Sequence, residues 1–453
     1  MPTVSSSGMP GKRTSLRPLV WLVLVGAIIV GCSRTEPRGG RVLVVGIDGA
    51  SNVFIEPMLE RGELPALASL RRDGISGAMR PVGGLLSPRI WTSMATGKLP
   101  ENHGIENWVW FDDQQRPRLF SSRDRNGHAL WNIVGDAGLE VAVVNWLVTH
   151  PPEKIHGVMI SDHVLPTFSR GQLRLAGQMA AKYTGEPQPQ VERYGADASS
   201  VYPPEWIARA AAARNDTARL TDIENPFGPG DDLGNEALRA LTDLLWNSFE
   251  NDGAVTRMAL EVARERDPDL MMVYLPGVDR VSHLLWPSRL YFDEPRPPAA
   301  EEENRDRVHF EWLRTYYRYA DALLGRIMAH YGPDDLVVVV SDHGFERNTP
   351  GAWPTGMHES EAARDGILYA RGPHVEQSAA GVRLFMHDLT PSVLAWLGLP
   401  VAENMSGNVA GFLRVTEAER ISTYDDRPIE RIESTAAGER KRIEELRLLG
   451  YVD

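Results

Sequence analysis

"RVLVVGIDG", residues 41–49, is an apolar run that ends in Asp48-Gly49. Its length and composition are typical of a strand that is buried on both faces. Further apolar runs follow at wide spacing: "EVAVVNW" (140–146), "GVMISD" (157–162), "DLMMVYLPG" (269–277), "DLVVVVSDHG" (335–344) and "GILYARG" (366–372). Helical patterns lie between these runs at 55–72, 236–266 and 304–330, and another follows at 391–397. Strands that alternate with helices predict an α/β fold with a mainly parallel sheet and helices on both faces.

The composition excludes some functions and leaves others open. The chain has 453 residues, of which 42% are hydrophobic and 24% charged, as is usual for a globular protein. Its formal net charge of −13 argues against binding to duplex nucleic acid, which requires a basic surface for the phosphates. A small phosphate-containing substrate remains compatible with this charge, because bound divalent cations reverse the local field. The sequence does not indicate an oligomeric state.

The N-terminal segment has the pattern of a targeting signal. Lys12, Arg13 and Arg17 precede an apolar run at 19–31, which ends at Cys32, the only cysteine of the chain. The run is short for a membrane span and has the length of a signal-peptide core. "IVGC" resembles the bacterial lipoprotein box, which implies that Cys32 is lipidated and becomes the new N-terminus. We therefore expect an exported protein, lipid-anchored to a bacterial membrane and facing the periplasm or the cell exterior. The alternative is an uncleaved membrane anchor with an incidental cysteine.

The rest of the chain is predicted to form one large domain. The predicted segments are a lipoprotein-type signal at 1–32, a tether at 33–40, the domain at 41–420 and a C-terminal tail with a charged helix at 421–453. The stretch at about 165–235 is polar and lacks a sheet-like run, so we expect a cap-like insertion there. A second, proline-rich and acidic insertion is predicted at 287–304.

Acidic and imidazole side chains follow the predicted strands. Open α/β sheets bind ligands at the carboxyl ends of their strands. The candidates at these ends are Asp48, Asp279, His283 one helical turn later, Asp342, His343 and, in a loop before the next strand, His358. Three carboxylates and three imidazoles suffice for two divalent metal ions, and this donor set favours Zn²⁺ over Ca²⁺, with Mn²⁺ as an alternative. Two such ions assist displacement at phosphorus.

Ser87, in "GGLLSPRIWTSMATG" (83–97), allows two interpretations. Ser is a favoured helix N-cap and Pro is tolerated at the first helical position, so Ser87 is explained as the cap of a helix that starts at Pro88. The same position, beside metal ligands and at a helix N-terminus that favours anions, also suits a nucleophile.

The order of these residues resembles that of the alkaline phosphatase superfamily, and most closely its type I phosphodiesterase/nucleotide pyrophosphatase branch. The shared pattern comprises Asp48, Ser87 ahead of Thr96-Gly97, His103-Gly104, Asp279 with His283, Asp342 with His343, and His358. The resemblance extends from "VLVVGIDG" to "DLTPSVLAWLGLP". It implies an alkaline-phosphatase-like three-layer sandwich that hydrolyses small-molecule phosphate esters, most typically phosphodiesters or nucleotide pyrophosphates, through a phosphoserine on Ser87.

The resemblance also implies roles for individual residues. One metal ion would be held by Asp279, His283 and His358, and the other by Asp48, Asp342, His343 and the Ser87 oxygen. Asn107 would hold a phosphoryl oxygen, although its spacing departs from the usual one. His103 is expected to fix a turn rather than bind metal. Most tryptophans near the motifs (Trp91, Trp108, Trp110, Trp146 and Trp286) are predicted to be packing residues.

Two alternatives remain at this point. Ser occupies the position where diesterases of this branch usually have Thr, so a phosphomonoesterase or a phospho-head-group transferase is one of them. The other is a non-catalytic surface lipoprotein, against which the complete ligand set argues. The sulfatase pattern Cys/Ser-x-Pro-x-Arg is not met by "SPRIW".

Overall fold

The computed structural model describes residues 40–115, 117–165, 199–227, 236–292, 301–350, 354–377, 380–415 and 418–433. The strands are β1 (Val42–Ile47), β2 (Ile75–Arg80), β3 (Val109–Phe111), β4 (Pro117–Leu119), β5 (Val141–Val144), β6 (Gly157–Ile160), β7 (Val201–Tyr202), β8 (Leu270–Leu275), β9 (Leu336–Val340), β10 (Glu346–Arg347), β11 (Gly356–Met357), β12 (Gly366–Arg371), β13 (Ala380–Phe385), β14 (Val401–Ala402) and β15 (Arg420–Ile421). The helices are α1 (Asn52–Glu60), α2 (Pro65–Asp73), α3 (Ser87–Thr96), α4 (Pro100–His103), α5 (Leu130–Asp136), α6 (Ile207–Asn215), α7 (Glu236–Arg266), α8 (Gly277–Leu285), α9 (Glu301–Met328) and α10 (Leu389–Trp396).

Within the described residues, nine strands form one sheet in the order β13-β2-β12-β9-β1-β8-β5-β6-β7. The five strands from β9 to β6 run parallel, and Val42 at the start of β1 pairs with Leu270 and Leu336 on its two neighbours. β12 is antiparallel to both β9 and β2, and β7 is antiparallel to β6. The carboxyl ends of β1, β8 and β9 therefore meet at one edge of the sheet, together with the segment before β12 and the segment after β2.

Both faces of the sheet are covered. Leu43, Val45 and Ile47 of β1 pack in a core with helices α1, α2, α7, α8 and α9, whereas Val42 and Val44 pack in a second core with α3, α5 and α10. This alternation is the physical reason for an apolar run on the central strand, since every second side chain enters a different core. The predicted α/β fold, a mainly parallel sheet between two helical layers, is confirmed.

Helix α3 packs closely on the sheet. Its Trp91 is fully buried, and a Cβ atom at Gly46 of β1 would lie 2.5 Å from the Trp91 ring. Gly46 thus allows α3 to approach the central strand. The helix ends at Gly97, whose φ of +70° is a left-handed cap conformation that glycine adopts without strain.

Two predicted elements differ from the structure. The helical pattern at 55–72 forms two helices, α1 and α2, because the chain turns at Gly62 (φ +70°) and Pro65 starts a new helix. The predicted cap-like insertion at 165–235 was expected to lack sheet structure, but its strand β7 pairs with β6. The parts at 166–198 and 228–235, and residues 293–300 of the second insertion, lie outside the described residues.

The chain divides into two units, Met1–Thr35 and Glu36–Asp453. The first unit, with Cys32, lies outside the described residues, as does the charged helix predicted after residue 433. The segment at 418–433 packs on the domain, because β15 pairs with β14 and the Ile432 amide donates to the Pro152 carbonyl oxygen. The other domain boundaries stay predictions. In the described part of the chain, we find no helix with the length and apolarity that a bilayer crossing requires.

Candidate active site

Helix α8 carries the first group of candidate ligands. Asp279 and His283 are one helical turn apart, and a ligand atom of each lies within 4.8 Å of one on His358. The His283 Nδ1–H group donates to the Gly356 carbonyl oxygen (3.1 Å), which turns Nε2 toward the Asp279 carboxylate (3.5 Å to Oδ1). This backbone hydrogen bond fixes the ring orientation, as is typical of metal-binding imidazoles.

The carboxyl ends of β1 and β9 provide the second group. Asp48, Asp342 and His343 also place ligand atoms within 4.8 Å of one another, and all three are buried. The His343 Nδ1–H group donates to the Gly344 carbonyl oxygen (2.9 Å), and Nε2 lies 3.4 Å from Asp342 Oδ2 and 3.6 Å from Asp48 Oδ1. His343 Nε2 is also 3.9 Å from Asp279 Oδ1 of the first group. The two groups therefore adjoin.

The inward-facing atoms of these groups lack protein partners. Among the described residues, no hydrogen bond is made by five buried atoms: Asp48 Oδ1, Asp279 Oδ1, Asp342 Oδ2, His343 Nε2 and His358 Nδ1. Five unpaired ligand atoms that converge on one region would be costly without a partner, since each has lost its hydration. Carboxylate oxygens and imidazole nitrogens in this arrangement fit two divalent cations.

The electrostatics of the groups fit cations as well. Burial, together with the Asp342 and Asp279 carboxylates, raises the pKa of Asp48 well above its ordinary value. Burial also raises the pKa of Asp342 to about 6. Burial and the neighbouring His343 lower the pKa of His358 to about 3, so its ring is neutral at physiological pH. Neutral imidazoles and carboxylates that repel each other form a site that a divalent cation stabilises.

Ser87 lies at the same edge of the sheet. It is the first residue of α3, half-buried, and its side chain lies close enough to Asp342 to lower the pKa of that carboxyl against the larger effect of burial. The N-cap residue is Leu86, and no side chain caps the helix. The interpretation of Ser87 as a helix cap is therefore wrong. The hydroxyl is directed to the second ligand group instead of the backbone.

The remaining sequence candidates take different positions. His103 joins neither group: its Nδ1 accepts from the Ile105 amide (3.1 Å) and its Nε2 contacts the Ser93 hydroxyl (2.9 Å), so it fixes the turn after α4. Asn107 is exposed, and its Oδ1 accepts from the Trp108 amide (2.7 Å). Asn107 lines a cleft together with Pro88, the neighbour of Ser87. Its contact with phosphate stays a prediction.

The tryptophans near the motifs divide by burial. Trp91, Trp146 and Trp286 are core residues, as predicted for most of the group. Trp110 is 37% exposed on the hairpin β3–β4. Trp108, which is half-buried, lines the cleft that contains Asn107.

Sequence reasoning missed Tyr274. Its hydroxyl donates to Asp48 Oδ2, which leaves Oδ1 of the same carboxylate facing the second ligand group. The Tyr274 ring contacts Trp91 edge to face, with centroids 5.0 Å apart, and so connects Asp48 with helix α3. The signal in the sequence was a tyrosine inside the otherwise aliphatic run "LMMVYL", since a buried hydroxyl requires a partner.

Comparison with known families decides the identity. The family model described as type I phosphodiesterase/nucleotide pyrophosphatase matches residues 42–368, which include all six candidate metal ligands and Ser87. The chain belongs to this family. It is a hydrolase of the phosphodiesterase/pyrophosphatase type, and the resemblance found in the sequence is confirmed. No curated protein matches the chain in a sequence search.

Solved structures with a similar fold include two hydrolases. An inactive variant of murine ectonucleotide pyrophosphatase/phosphodiesterase 5, in complex with AMP, has 12% sequence identity and a TM-score of 0.48; the match covers 82% of this chain and 97% of that one. Phosphonoacetate hydrolase from Sinorhizobium meliloti 1021, in complex with phosphonoformate, has 16% identity and a TM-score of 0.39, with 70% of this chain covered. The match spans 60% of the length of that hydrolase.

Proposed function

We propose that this phosphodiesterase-family protein hydrolyses phosphate diesters through a phosphoserine intermediate on Ser87 and requires two divalent metal ions, Zn²⁺ in preference to Mn²⁺. The observation that carries the proposal is the convergence of five unpaired ligand atoms beside the Ser87 hydroxyl. A binding protein has no need for a serine directed at two groups of metal ligands.

The residues divide between the two ions as the ligand groups do. Asp279, His283 and His358 would hold one ion, and Asp48, Asp342 and His343 the other, with the Ser87 oxygen as a further ligand. When bound, the ions supply activation of the hydroxyl and of water, and they neutralise negative charge on the oxygens at phosphorus.

Ser87 carries the covalent steps. Its Oγ attacks phosphorus in line with the leaving alcohol, so that the Oγ–P bond forms while the bond from phosphorus to the leaving oxygen breaks. The Ser87 proton is lost and the alcohol leaves with a proton from solvent. Water then attacks phosphorus from the vacated side, which cleaves the Oγ–P bond and restores Ser87. Asp342, next to the hydroxyl, orients it for attack.

The N-terminus of α3 provides few donors for the phosphoryl group. Pro88 has no N–H, and the amides of Arg89 and Ile90 both donate to the Leu86 carbonyl oxygen. Stabilisation of charge at phosphorus is therefore assigned to the two cation sites and to Asn107 rather than to helix amides.

The proposal is tested with the full-length protein, solubilised in detergent. We expect hydrolysis of bis(p-nitrophenyl) phosphate to exceed that of p-nitrophenyl phosphate, because the described ligand groups hold two cations but no additional cation to pair with the second charge of a monoester. Chelation is expected to abolish turnover, and added Zn²⁺ to restore it. Faster hydrolysis of the monoester would favour the phosphomonoesterase alternative, and unchanged activity after verified metal removal would exclude the mechanism.

The proposed location depends on Cys32. We infer that the protein is exported and attached to a bacterial membrane through a lipid on Cys32, since the sole cysteine follows a signal-like segment. Cys32→Ala is expected to block fatty-acid labelling in cells and to release or mislocalise the protein. Its diesterase activity is expected to stay unchanged, since no cysteine lies in the domain. Membrane fractionation at the normal mature mass would show that the lipoprotein assignment is wrong.

A further inference from the structure

A narrow cleft lies beside Ser87, between the hairpin β3–β4 and the loops that follow β5 and β6. The described residues that line it are Pro88, Asn107, Trp108, Leu119, Phe120, Leu147, Val148, Asp162 and His163. Since Pro88 adjoins the proposed nucleophile, a group attached to phosphorus extends into this cleft when Ser87 attacks. The side chains of the cleft therefore bear on which ester group the enzyme accepts.

The cleft is mainly apolar. Six of its nine lining residues are apolar, and two of these, Trp108 and Phe120, are aromatic. The Phe120 amide donates to the Trp108 carbonyl oxygen (3.0 Å), which continues the pairing of the hairpin. The two rings thus stand opposite each other on one face of the hairpin, since residues that pair across two strands share a face. A flat or aliphatic group gains free energy by burial against them.

The fixed charge of the cleft is negative. Among the described lining residues, Asp162 is the sole carboxylate, and there is no Lys or Arg. Asp162 Oδ2 accepts from the Val148 amide (3.0 Å) and Oδ1 from the Thr149 hydroxyl (3.4 Å), so the carboxylate is held on the wall. An anionic group in the cleft would be repelled at low dielectric without a compensating cation.

Val148 supports a functional role for this wall. It has a φ of +61°, which is strained for a β-branched residue and costs of the order of 1–3 kcal/mol. Hydrogen bonds on both sides maintain the conformation: its own amide binds Asp162, and the Thr149 hydroxyl donates to the Trp146 carbonyl oxygen (2.5 Å). Strain that the surrounding contacts retain beside a reactive residue is typical of a substrate-binding surface.

The polar lining offers little for a sugar or a base. Asn107 Oδ1 already accepts from the Trp108 amide, and the Asp162 oxygens accept from the loop after β5. The His163 ring stacks on that of His150, with centroids 3.9 Å apart and 5° between the planes. A nucleoside would leave several of its hydrogen-bonding groups unpaired in this cleft, which is costly.

We propose that the cleft receives an apolar, uncharged ester group, so that the substrate class is phosphodiesters of an apolar or aromatic alcohol rather than nucleotides or diesters with a further anionic group. This inference rests on the proposed function, because it assumes that Ser87 attacks the phosphorus of a diester.

The test compares four p-nitrophenyl phosphodiesters whose second ester group is methyl, benzyl, carboxymethyl or thymidin-5′-yl. All release p-nitrophenolate, so kcat/KM ratios report on the second group alone. At pH 8.5, where unperturbed imidazoles are neutral, we expect benzyl to exceed methyl by roughly 10- to 100-fold. Thymidinyl is expected below benzyl, and carboxymethyl about tenfold below methyl.

Two variants locate these preferences. Trp108→Leu is expected to lower the benzyl-to-methyl ratio roughly tenfold, whereas Trp110→Leu, on the same hairpin but outside the cleft lining, should leave it unchanged. Asp162→Asn is expected to raise the carboxymethyl-to-methyl ratio about tenfold. Both ratios are internal to one protein sample, so partial unfolding does not affect them.

The outcomes separate this inference from the proposed function. If the methyl ester is hydrolysed and the benzyl-to-methyl ratio is near one, the substrate class is wrong while the diesterase function stands. A thymidinyl ester that exceeds the benzyl ester overturns it in favour of a nucleoside. If the metal-loaded protein hydrolyses none of the four esters, the proposed function fails and this inference with it.

Discussion

Ser87→Ala is expected to lower phosphodiester turnover by roughly three to six orders of magnitude, as loss of a catalytic nucleophile typically does. Metal binding should persist, because Asp48, Asp342 and His343 remain as ligands of the adjacent ion. The structure sharpens this prediction. Since Leu86, and not Ser87, is the N-cap of α3, the substitution removes no capping hydrogen bond and should change the free energy of unfolding by less than about 0.5 kcal/mol.

The control for this substitution is a serine on another helix. Ser69 of α2 bonds only to its own helix, where its hydroxyl donates to the Ala66 carbonyl oxygen (2.7 Å), so Ser69→Ala should retain full activity. Ser87→Thr keeps a hydroxyl at the site and should retain partial activity. The measurements are turnover, metal content and thermal unfolding of each variant. Near-normal turnover by folded, metal-loaded Ser87→Ala would exclude Ser87 as the nucleophile.

The sequence predicted which candidate ligands converge because sheet topology transmits local patterns. A buried parallel strand is recognisable from its apolar run, and the residue after it lies at the carboxyl edge. Asp48 and Asp342 follow such strands, and Asp279 and His283 follow β8 at helical spacing. Their convergence then required no knowledge of the loops between the strands. What the ligands hold is a chemical question that the fold alone does not answer.

Other features depend on contacts that sequence patterns do not encode. The identity of the N-cap of α3 shifted by one residue, which changed the role of the Ser87 side chain from structural to free. Tyr274 reaches Asp48 only because β1 and β8 are neighbours, although 226 residues separate the two in sequence. The cleft wall at Val148 and Asp162 combines two loops with an unusual backbone conformation, and neither loop carries a recognisable motif.

The second large effect concerns the metal ions. We expect the purified protein, reconstituted with Zn²⁺, to bind two equivalents per chain, and His358→Ala to bind one of them at least about 100-fold more weakly. His358 provides one of only three ligands in its group, so its loss should exceed the 10–100-fold cost of removing an outer partner of a ligand. Turnover should fall by several orders of magnitude, since both ions are needed at phosphorus. Competition with a chromophoric chelator measures each affinity independently of activity.

Two further variants make this result specific to one ligand group. Asp342→Asn should weaken the other ion, so His358→Ala and Asp342→Asn should each retain one tight equivalent. His330, an exposed residue that follows α9, is the matched control, and His330→Ala should bind both ions and retain activity. The two groups adjoin through Asp279 Oδ1, which lies 3.9 Å from His343 Nε2, so some loss at the neighbouring ion is expected in each variant. Equal weakening of both ions by His358→Ala would contradict the division into two sites, and full activity of verified metal-free protein would contradict the role of metal altogether.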